Sequence, residues 1–289
     1  MGRCLAGLWL VLWLPATYAA SCGTDGVWVQ VLGRTHAETK RASSSHLLWL
    51  NGKARVLIDV GGGSAGHFAK SSAKVADLDV ILFTQLHVNH TADLPALLQA
   101  SLLEGRTRPL PIYGPTRSKL MPSTVTFVRT LFDKKRGVYR YLGELVSPLG
   151  KTTYKLQPRD VRIKASYAPN VYVNERVRVG AATITRSPIP TLAWRVQAAG
   201  KFIVFSSAAN NGRANLASFA QGADLLVIHD PDRELANAAP AAIARMAQQR
   251  GVKKLALIQF VGEQQSLAAI SGIYKGPTSF VRDLDCFQP

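Results

Sequence analysis

Acidic residues are scarce in this chain. It has 18 Asp and Glu against 35 Lys and Arg, which gives a formal net charge of +17 at pH 7. Such an excess attracts anionic partners such as nucleic acids, lipid head groups or acidic glycans, but it does not locate a binding site. The 289 residues also contain no internal repeat and no low-complexity tract, and 47% of them are hydrophobic. This composition excludes a disordered chain and is typical of a globular protein with a sizeable core.

Long apolar runs are missing after the first twenty residues. Residues 4–14 form one apolar run that is too short to cross a bilayer comfortably. Arg3 precedes this run, Pro15 ends it, and residues 17–19 (Thr-Tyr-Ala) offer a cleavage site, so we interpret residues 1–19 as an export signal. A membrane anchor is the alternative. The sequence therefore predicts a periplasmic or secreted protein with no transmembrane segment once the signal is removed.

Cysteine is rare, with three residues in the chain. Removal of the signal would remove Cys4 and leave Cys22 and Cys286, one near each end of the remaining chain. In an oxidising compartment such a pair is a candidate disulfide, because the ends of a domain often lie close together. Two unpaired thiols are the alternative.

Turn and strand signals alternate along the chain. Asn51-Gly52 and Ala199-Gly200 each separate two apolar runs and predict hairpins. Glycines 61–63 lack the Gly-Lys-Ser/Thr ending of a nucleotide-binding loop, so we interpret them as a tight turn that lets the backbone approach a site. Strands are predicted at residues 27–32, 47–50, 55–58, 80–83, 110–115, 182–185, 192–196, 202–205, 225–228 and 255–258, and helices at 123–132 and 240–247. This order predicts sheets flanked by helices in one domain.

Histidine is also rare, and two of the six histidines fall in one short stretch, residues 84–95. An apolar run precedes this stretch, and Pro95 is placed to begin a helix after it. His87 and His90 are two residues apart, close enough to share a metal ion in a tight turn. Neighbouring histidines on a loop are more often simply solvated, so the pair alone does not establish a metal site.

The frame of this stretch resembles the metal motif of the metallo-β-lactamase superfamily, Thr-His-x-His-x-Asp-His followed by an Asp. The matching residues are Thr84, His87, His90 and Asp93. Similar landmarks occur at residues 31–33, 57–63, 93–98, 114–115, 188–196, 204–206 and 283–287, and they are most similar to exported bacterial hydrolases of this superfamily. The resemblance implies an α/β fold, the four-layer αββα sandwich, in a single domain at residues 20–289.

Members of the superfamily hold two zinc ions, or related metals, between loops at one edge of the two sheets. In this chain the resemblance assigns the ligand positions to Gln85, His87 and Arg186 for one metal, to Asn89, His90 and Gln259 for the other, and to Ala208 for the bridging carboxylate. Each metal would keep one imidazole, whereas zinc needs three or four donors. Amide oxygens are weak zinc ligands, and a guanidinium repels the ion.

The first hypothesis is therefore a pseudoenzyme, an exported protein of this fold that is inactive as a dinuclear metallohydrolase. Arg186 would attract an anion where a metal once lay, and Gln85, Asn89 and Gln259 would supply amide donors. The expected partner is an anionic small molecule or an acidic polymer, with no specific nucleic acid. No cofactor is required by this hypothesis, and the oligomeric state is not predicted.

The alternative hypothesis is a metal-dependent hydrolase with an atypical mononuclear site. His229 follows a predicted core strand, and His87, His90 and His229 would hold at most one zinc ion, with Asp230 as a further ligand. A nucleophilic serine at position 206 or 207 has no supporting spacing. The remaining histidines are expected at the surface: His36, His46 and His67.

A third hypothesis is an interaction protein that acts through its basic segment at about residues 133–165. We interpret this segment as an irregular insertion or lid between two halves of the domain. Lysines and arginines recur along this segment with few acidic residues. It would contact anionic polymers with a strong dependence on salt. This role does not exclude either of the other two.

Overall fold

The computed structural model describes residues 22–34, 42–163, 167–184, 189–207, 214–229, 239–259 and 262–289. The predicted export signal lies outside these residues, as do His36, Arg186, Ala208 and Asp230. No helix within the described ranges is long and apolar enough to cross a membrane.

The described chain alternates strands and helices. The strands are β1 (Val27–Gly33), β2 (Ser45–Leu50), β3 (Lys53–Ile58), β4 (Val80–Leu82), β5 (Leu110–Pro115), β6 (Leu156–Val161), β7 (Tyr167–Val173), β8 (Val177–Thr183), β9 (Leu192–Ala198), β10 (Lys201–Ser206), β11 (Leu225–His229), β12 (Leu255–Ile258), β13 (Thr278–Phe280) and β14 (Cys286–Phe287). The α-helices are α1 (Ser64–Lys70), α2 (Val88–Thr91), α3 (Leu94–Ser101), α4 (Thr124–Phe132), α5 (Ala214–Phe219), α6 (Ala239–Gln249) and α7 (Glu263–Ser271). Short 3₁₀ helices cover Val75–Asp77 and Arg140–Leu145.

Two mixed sheets divide the strands between them. Within the described residues the first sheet has the order β14-β1-β2-β3-β4-β5-β6, and the second has the order β13-β12-β11-β10-β9-β8-β7. In the first sheet β3 to β6 are parallel, and in the second β10 to β13 are parallel. Parallel strands end at the same edge of a sheet, so each sheet gathers several carboxyl-terminal strand ends at one edge.

Both predicted hairpins are confirmed. Asn51 and Gly52 have φ values of 49° and 71°, and Ala199 and Gly200 have φ values of 44° and 75°. Positive φ at both central residues is the geometry of a two-residue hairpin turn whose twist matches that of the strands it joins. The two turns join β2 to β3 and β9 to β10 in antiparallel pairs.

Three apolar layers hold the sheets and helices together. The middle layer consists of strand side chains that face between the sheets, such as Val29, Val56, Trp194 and Phe205. The second layer packs α1, α3 and α4 on the outside of the first sheet, and the third packs α5, α6 and α7 on the outside of the second. The layer order is therefore helices, sheet, sheet, helices, which confirms the predicted four-layer α/β sandwich in a single domain.

The described part of the basic segment, residues 133–163, has more regular structure than its sequence predicts. It contains the 3₁₀ helix Arg140–Leu145 and then β6, which pairs with β5 as an edge strand of the first sheet. Only the ends of β6 are buried, so its sequence lacks the apolar run by which a central strand is recognised. Its latter part therefore belongs to the sheet.

The predicted disulfide is present between Cys22 and Cys286, whose Cα atoms are 5.6 Å apart and which are separated by 264 residues in the chain. Cys286 belongs to β14, which pairs with β1 through Val29 and Gln30. The bond therefore joins the two ends of the described chain at the edge of the first sheet.

Candidate functional site

The candidate site lies where the carboxyl-terminal strand ends of the two sheets meet. Asp59 follows β3, Thr84 lies two residues after the end of β4, and His229 ends β11. The N–H of Leu192, at the start of β9, donates to the Thr84 carbonyl at 2.8 Å and so joins the second sheet to the histidine turn of the first.

A buried carboxylate organises this edge. Asp59 has φ 58°, an uncommon backbone conformation for a residue other than glycine, and it is 1% exposed. Its Oδ1 accepts the Thr84 N–H at 2.7 Å, and its Oδ2 accepts the hydroxyls of Thr84 at 2.7 Å and Ser44 at 3.2 Å. The same Oδ2 lies 2.7 Å from His90 Nδ1. Asp59 was not predicted as a site residue, although it follows a predicted strand directly.

His90 is held on both ring nitrogens and is completely buried. The bond to Asp59 places the proton on Nδ1, which leaves Nε2 as an acceptor. The Gln85 amide nitrogen lies 2.7 Å from Nε2, and Thr191 Oγ1 donates to Gln85 Oε1 at 3.4 Å. The structure thus brings His90 and Gln85 together in a hydrogen bond that occupies the lone pair a metal ion would need.

The glycine turn packs directly on the histidine turn. A Cβ atom added at Gly61 would lie 2.3 Å from the Asn89 carbonyl oxygen, which no side chain allows. The N–H of Val60 donates to the His90 carbonyl at 2.8 Å. This confirms the interpretation of residues 61–63 as a turn that lets the backbone approach the site.

His87 lies at the rim of the site. It is the residue before α2, and its ring is half-buried beside Val88, which is 75% exposed. Burial, together with the nearby His90, lowers the pKa of His87, so its neutral form is favoured. A neutral imidazole is the form that binds metal ions.

His46 was expected at the surface, and this expectation is wrong. It is 3% exposed, and its ring lies between the sheets. The centroid of the His46 ring is 5.3 Å from that of His229, which it meets edge-on, and 5.8 Å from that of Phe205. Neither ring nitrogen has a hydrogen-bond partner in the described part of the chain. Burial lowers the pKa of His46 to about 4, although the negative charge of Asp59 acts to raise it. The period of two in β2 could have located it, since His46, Leu48 and Leu50 share one face.

The other predicted histidines occupy different environments. His229, at the end of β11, is 2% exposed, and its ring contacts that of His46. His67 is half-buried, with Nδ1 2.6 Å from the Leu32 carbonyl oxygen, and is not part of the site. Ser207 contributes a buried hydroxyl that has no hydrogen-bond partner among the described residues.

Gln259, which follows β12, has φ 60°, and its buried Oε1 likewise has no hydrogen-bond partner in the described ranges. Buried polar atoms nearly always have partners. The unpaired atoms of His46, Ser207 and Gln259 are therefore groups that a bound ion or a polar ligand would satisfy. His46 lies in β2, Ser207 follows β10 and Gln259 follows β12, and all three lie at the same edge as His90.

These residues do not supply a two-metal centre. In the described ranges, no group of three or more His, Cys, Asp or Glu side chains is arranged to hold a metal ion. Gln85 binds His90 instead of a metal, and Asp93, whose Oδ2 accepts the Ala65 N–H at 2.9 Å, is turned toward α1. The predicted ligand positions Arg186 and Ala208 lie outside the described residues.

Curated proteins named ribonuclease Z are similar in sequence to this chain. No protein-family model matches the chain. Ribonuclease Z of Prochlorococcus marinus is 28% identical over 166 residues, which are 57% of this chain and 47% of that protein. Ribonuclease Z of Pseudomonas putida is 23% identical over 270 residues, 79% of this chain and 82% of that protein. The chain thus spans about half the length of the first of these relatives.

Solved structures match over almost the whole chain. The metallo-β-lactamase fold protein YhfI of Bacillus subtilis has a TM-score of 0.66 and 18% identity, and the match covers 91% of this chain and 99% of that one. The short form of human tRNase Z has a TM-score of 0.66 and 20% identity, with 90% and 98% covered. At these identities the structures establish the fold alone.

The curated relatives contradict the first hypothesis, that of a non-catalytic, anion-binding pseudoenzyme. The proteins that this sequence resembles bear the name of a ribonuclease. The hypothesis counted the ligands lost from a two-metal centre, and that count does not decide whether a different set of groups serves the same reaction.

Proposed function

This chain has the metallo-β-lactamase fold, and from that premise we propose that it is a metal-dependent hydrolase that cleaves RNA. The observation that carries the proposal is the likeness to ribonuclease Z, which appears independently in sequence and in fold. This is the alternative of the sequence analysis, given a substrate class. It replaces the expectation of no specific nucleic acid, and RNA takes the place of the predicted acidic polymer.

At most one metal ion is proposed, with zinc as the first candidate. His87, His90 and His229 would have to move together to hold it, with Asp230 as a further ligand, because the described residues are not arranged around an ion. Imidazole and carboxylate donors suit zinc. A bound ion of this kind acts as a Lewis acid and lowers the pKa of a bound water to about 7. Gln85 and the ion compete for the same lone pair of His90, so the Gln85 side chain controls whether His90 can bind.

The chain's own residues prepare His90 for this role. The Asp59 carboxylate keeps the proton on Nδ1 and directs Nε2 away from itself. Ser44 and Thr84 fix that carboxylate in turn. The pair is buried, so water does not compete for these hydrogen bonds, and the orientation of the ring is set before a substrate arrives.

The surface charge supports RNA as the substrate class. A net charge of +17 attracts a polyanion over its whole length. The exposed side chains Lys135, Arg136 and Arg140 add to this charge in the basic segment. We propose that this segment contributes non-specific contacts to phosphates, and not the recognition of a sequence.

The direct test is cleavage of RNA transcripts by the purified protein, beginning with tRNA transcripts because of the name of the human structural neighbour. The wild type is expected to cleave, and His90→Ala to lose cleavage, because the variant lacks the imidazole that Asp59 holds. His67→Ala is the matched control, since that histidine is half-buried outside the site, and it should keep activity. A folded wild type that leaves every transcript intact would contradict the proposal.

We also propose that this hydrolase is exported. The Cys22–Cys286 disulfide supports an oxidising compartment, where such bonds form and persist. The measurement is the mass of the protein recovered from its host, together with its cell fraction. Export predicts a chain that lacks residues 1–19, and a chain that keeps them in the cytoplasmic fraction would contradict it.

A further inference from the structure

A cavity lies on the helix-facing side of the second sheet, away from the interior where His46 and His229 meet. Its volume is about 440 Å³, and β7, β8, β9, β10 and the end of α5 line it. Small-molecule sites commonly have volumes of about 300 to 1,000 Å³. The cavity is therefore large enough for a ligand the size of a nucleotide.

Two arginines give this cavity its charge. Arg178 pairs with Gln197 and Arg195 pairs with Gly180 in neighbouring strands, so the two arginines are diagonal neighbours on one face of the sheet. No Asp or Glu is among the described residues that line the cavity, and neither arginine forms an ion pair within the described ranges. The cavity therefore has a net positive charge.

Each arginine keeps donors for a ligand. Arg178 Nη1 donates to Asn170 Oδ1 at 2.7 Å, and Arg195 Nη1 donates to the Phe219 carbonyl at 3.0 Å. A guanidinium has five N–H groups in a planar fork, and one described bond for each arginine leaves most of them available. Such forks match the oxygens of a phosphate group.

Aromatic rings lie beside these charges. The Tyr167 side chain is 50% exposed, and its ring centroid is 6.0 Å from that of Phe219. The Arg195 guanidinium lies 4.5 Å from the centroid of the Phe202 ring. A flat aromatic face next to guanidiniums is the combination on which a nucleobase stacks while its phosphate is neutralised.

Gly180 lines the cavity next to the backbone of β7. A Cβ atom at this position would lie 3.1 Å from the carbonyl oxygens of Ala168 and Pro169, tighter than most real contacts. The pairing of β7 with β8 shifts register between Ala168 and Tyr172, and this irregularity brings the β7 backbone close to Gly180. A side chain at position 180 would therefore push against the β7 backbone that lines the cavity.

We propose that this cavity binds a nucleotide, with its phosphate on Arg178 and Arg195 and its base against Tyr167. The ligand chemistry is that of a nucleoside monophosphate, which is available either free or as one unit of an RNA chain. The inference goes beyond the proposed function, because binding here requires neither a metal ion nor hydrolysis at His90.

The test measures the binding of AMP and of a labelled RNA oligonucleotide to the full chain by calorimetry and fluorescence anisotropy. We expect Arg178→Gln and Tyr167→Ala each to weaken AMP binding at least about tenfold, the loss of one charged or stacking contact. Arg129→Gln and Leu103→Ala are controls, since both residues are exposed and neither lines the cavity. They should bind AMP as the wild type does.

The source of the ligand follows from the second probe. RNA binding that falls with AMP binding in the two cavity variants identifies a unit of RNA as the ligand, and RNA binding that stays constant identifies the free nucleotide. A wild type that does not bind AMP, or cavity variants that bind it unchanged, would overturn the proposal. The His90→Ala variant separates the two proposals, because it should lose RNA cleavage and keep AMP binding.

Discussion

At the scale of single residues, Asp59 determines what His90 can do. Its carboxylate accepts hydrogen bonds from the Thr84 backbone, from two hydroxyls and from the His90 ring. Such partners of a ligating histidine set its tautomer and orientation, and their loss typically lowers metal affinity or activity about 10- to 100-fold.

We therefore expect Asp59→Asn to lower kcat/KM for RNA cleavage by about 10- to 100-fold. The amide nitrogen of the variant is a donor, and it would face the Thr84 and Ser44 groups that now donate to the carboxylate. The measurement is steady-state cleavage of a labelled transcript, with circular dichroism to show that the variant folds. Asp25→Asn, a change at an exposed residue outside the site, is the control. Equal activity in the Asp59 variant and the wild type would show that the pair has no role in the reaction.

His46 makes stability depend on pH. Its folded pKa of about 4 lies below the ordinary value of 6.5, because burial disfavours the charged ring. The unfolded chain therefore binds a proton at a higher pH than the folded chain does. The free energy of unfolding should fall as the pH is lowered from 6.5 to about 4, by a total of about 3 kcal/mol from this residue.

The measurement is urea unfolding at several pH values between 7 and 4 for the wild type and for His46→Gln, which has no ring to protonate. The wild type should lose more stability over this range than the variant does. His87, whose pKa is also lowered, is present in both proteins and cancels. Two curves that fall in parallel would show that His46 is not protected from protonation in the folded state.

At the scale of elements, one buried carboxylate fastens the two sheets to each other. Asp79 lies directly before β4, and its side chain is fully buried. It accepts hydrogen bonds from Arg108, which precedes β5, and from Arg176, which precedes β8 of the second sheet. Burial alone would raise the pKa of Asp79, but the bonds from Arg176 and Arg108 hold it below its ordinary value.

We expect Asp79→Asn to destabilise the chain by about 3 kcal/mol, the lower end of the cost of removing one partner of a buried ion pair, since both arginines are partly exposed. The check is the free energy of unfolding in urea at pH 7. Asp25→Asn, at the exposed start of the described chain, should change it by less than about 0.5 kcal/mol. A loss no larger than that of the control would mean that Asp79 does not help to hold the sheets together.

The elements that could be predicted from sequence are those whose signals are local. Asn51-Gly52 and Ala199-Gly200 specify their hairpins through backbone preference, and the buried strands β4, β11 and β12 are continuous apolar runs. The strands β6, β7 and β13 were missed because they are edge strands of mostly exposed or half-buried residues. Their conformation is set by pairing with a neighbour that is distant in the sequence.

The candidate site shows the same limit. The turn that holds His87 and His90 was located by its position between a strand and a helix. The bond between Gln85 and His90, and the approach of His46 to His229, depend on side chains that come together only in the folded chain. Function was predicted wrongly because counting replaced ligands reports the loss of one known site and says nothing about another.

At the scale of the whole molecule, the disulfide closes the chain. It joins residues 264 positions apart and anchors β14 to the edge of the first sheet. On the chain-entropy model such a closure stabilises by at most about 5 kcal/mol, because it restricts the unfolded chain. This is a large share of the stability of an ordinary domain.

We expect the thermal midpoint to fall when the wild type is reduced with dithiothreitol. The double variant Cys22→Ser and Cys286→Ser should melt at the temperature of the reduced wild type and should not respond to reductant. Differential scanning calorimetry with and without dithiothreitol measures both. A wild-type midpoint that reduction leaves unchanged would contradict a stabilising role for the bond.

The central claim is that this fold, with its two-metal ligand set largely replaced, still hydrolyses RNA with one metal ion. It is tested most directly by the metal content of freshly purified protein, measured together with RNA cleavage on the same sample. We predict about one equivalent of zinc per chain, cleavage that is lost on chelation and restored by zinc, and loss of both metal and cleavage in His87→Ala. A folded, metal-free protein that gains no cleavage on addition of zinc, or two equivalents of bound metal, would contradict the account.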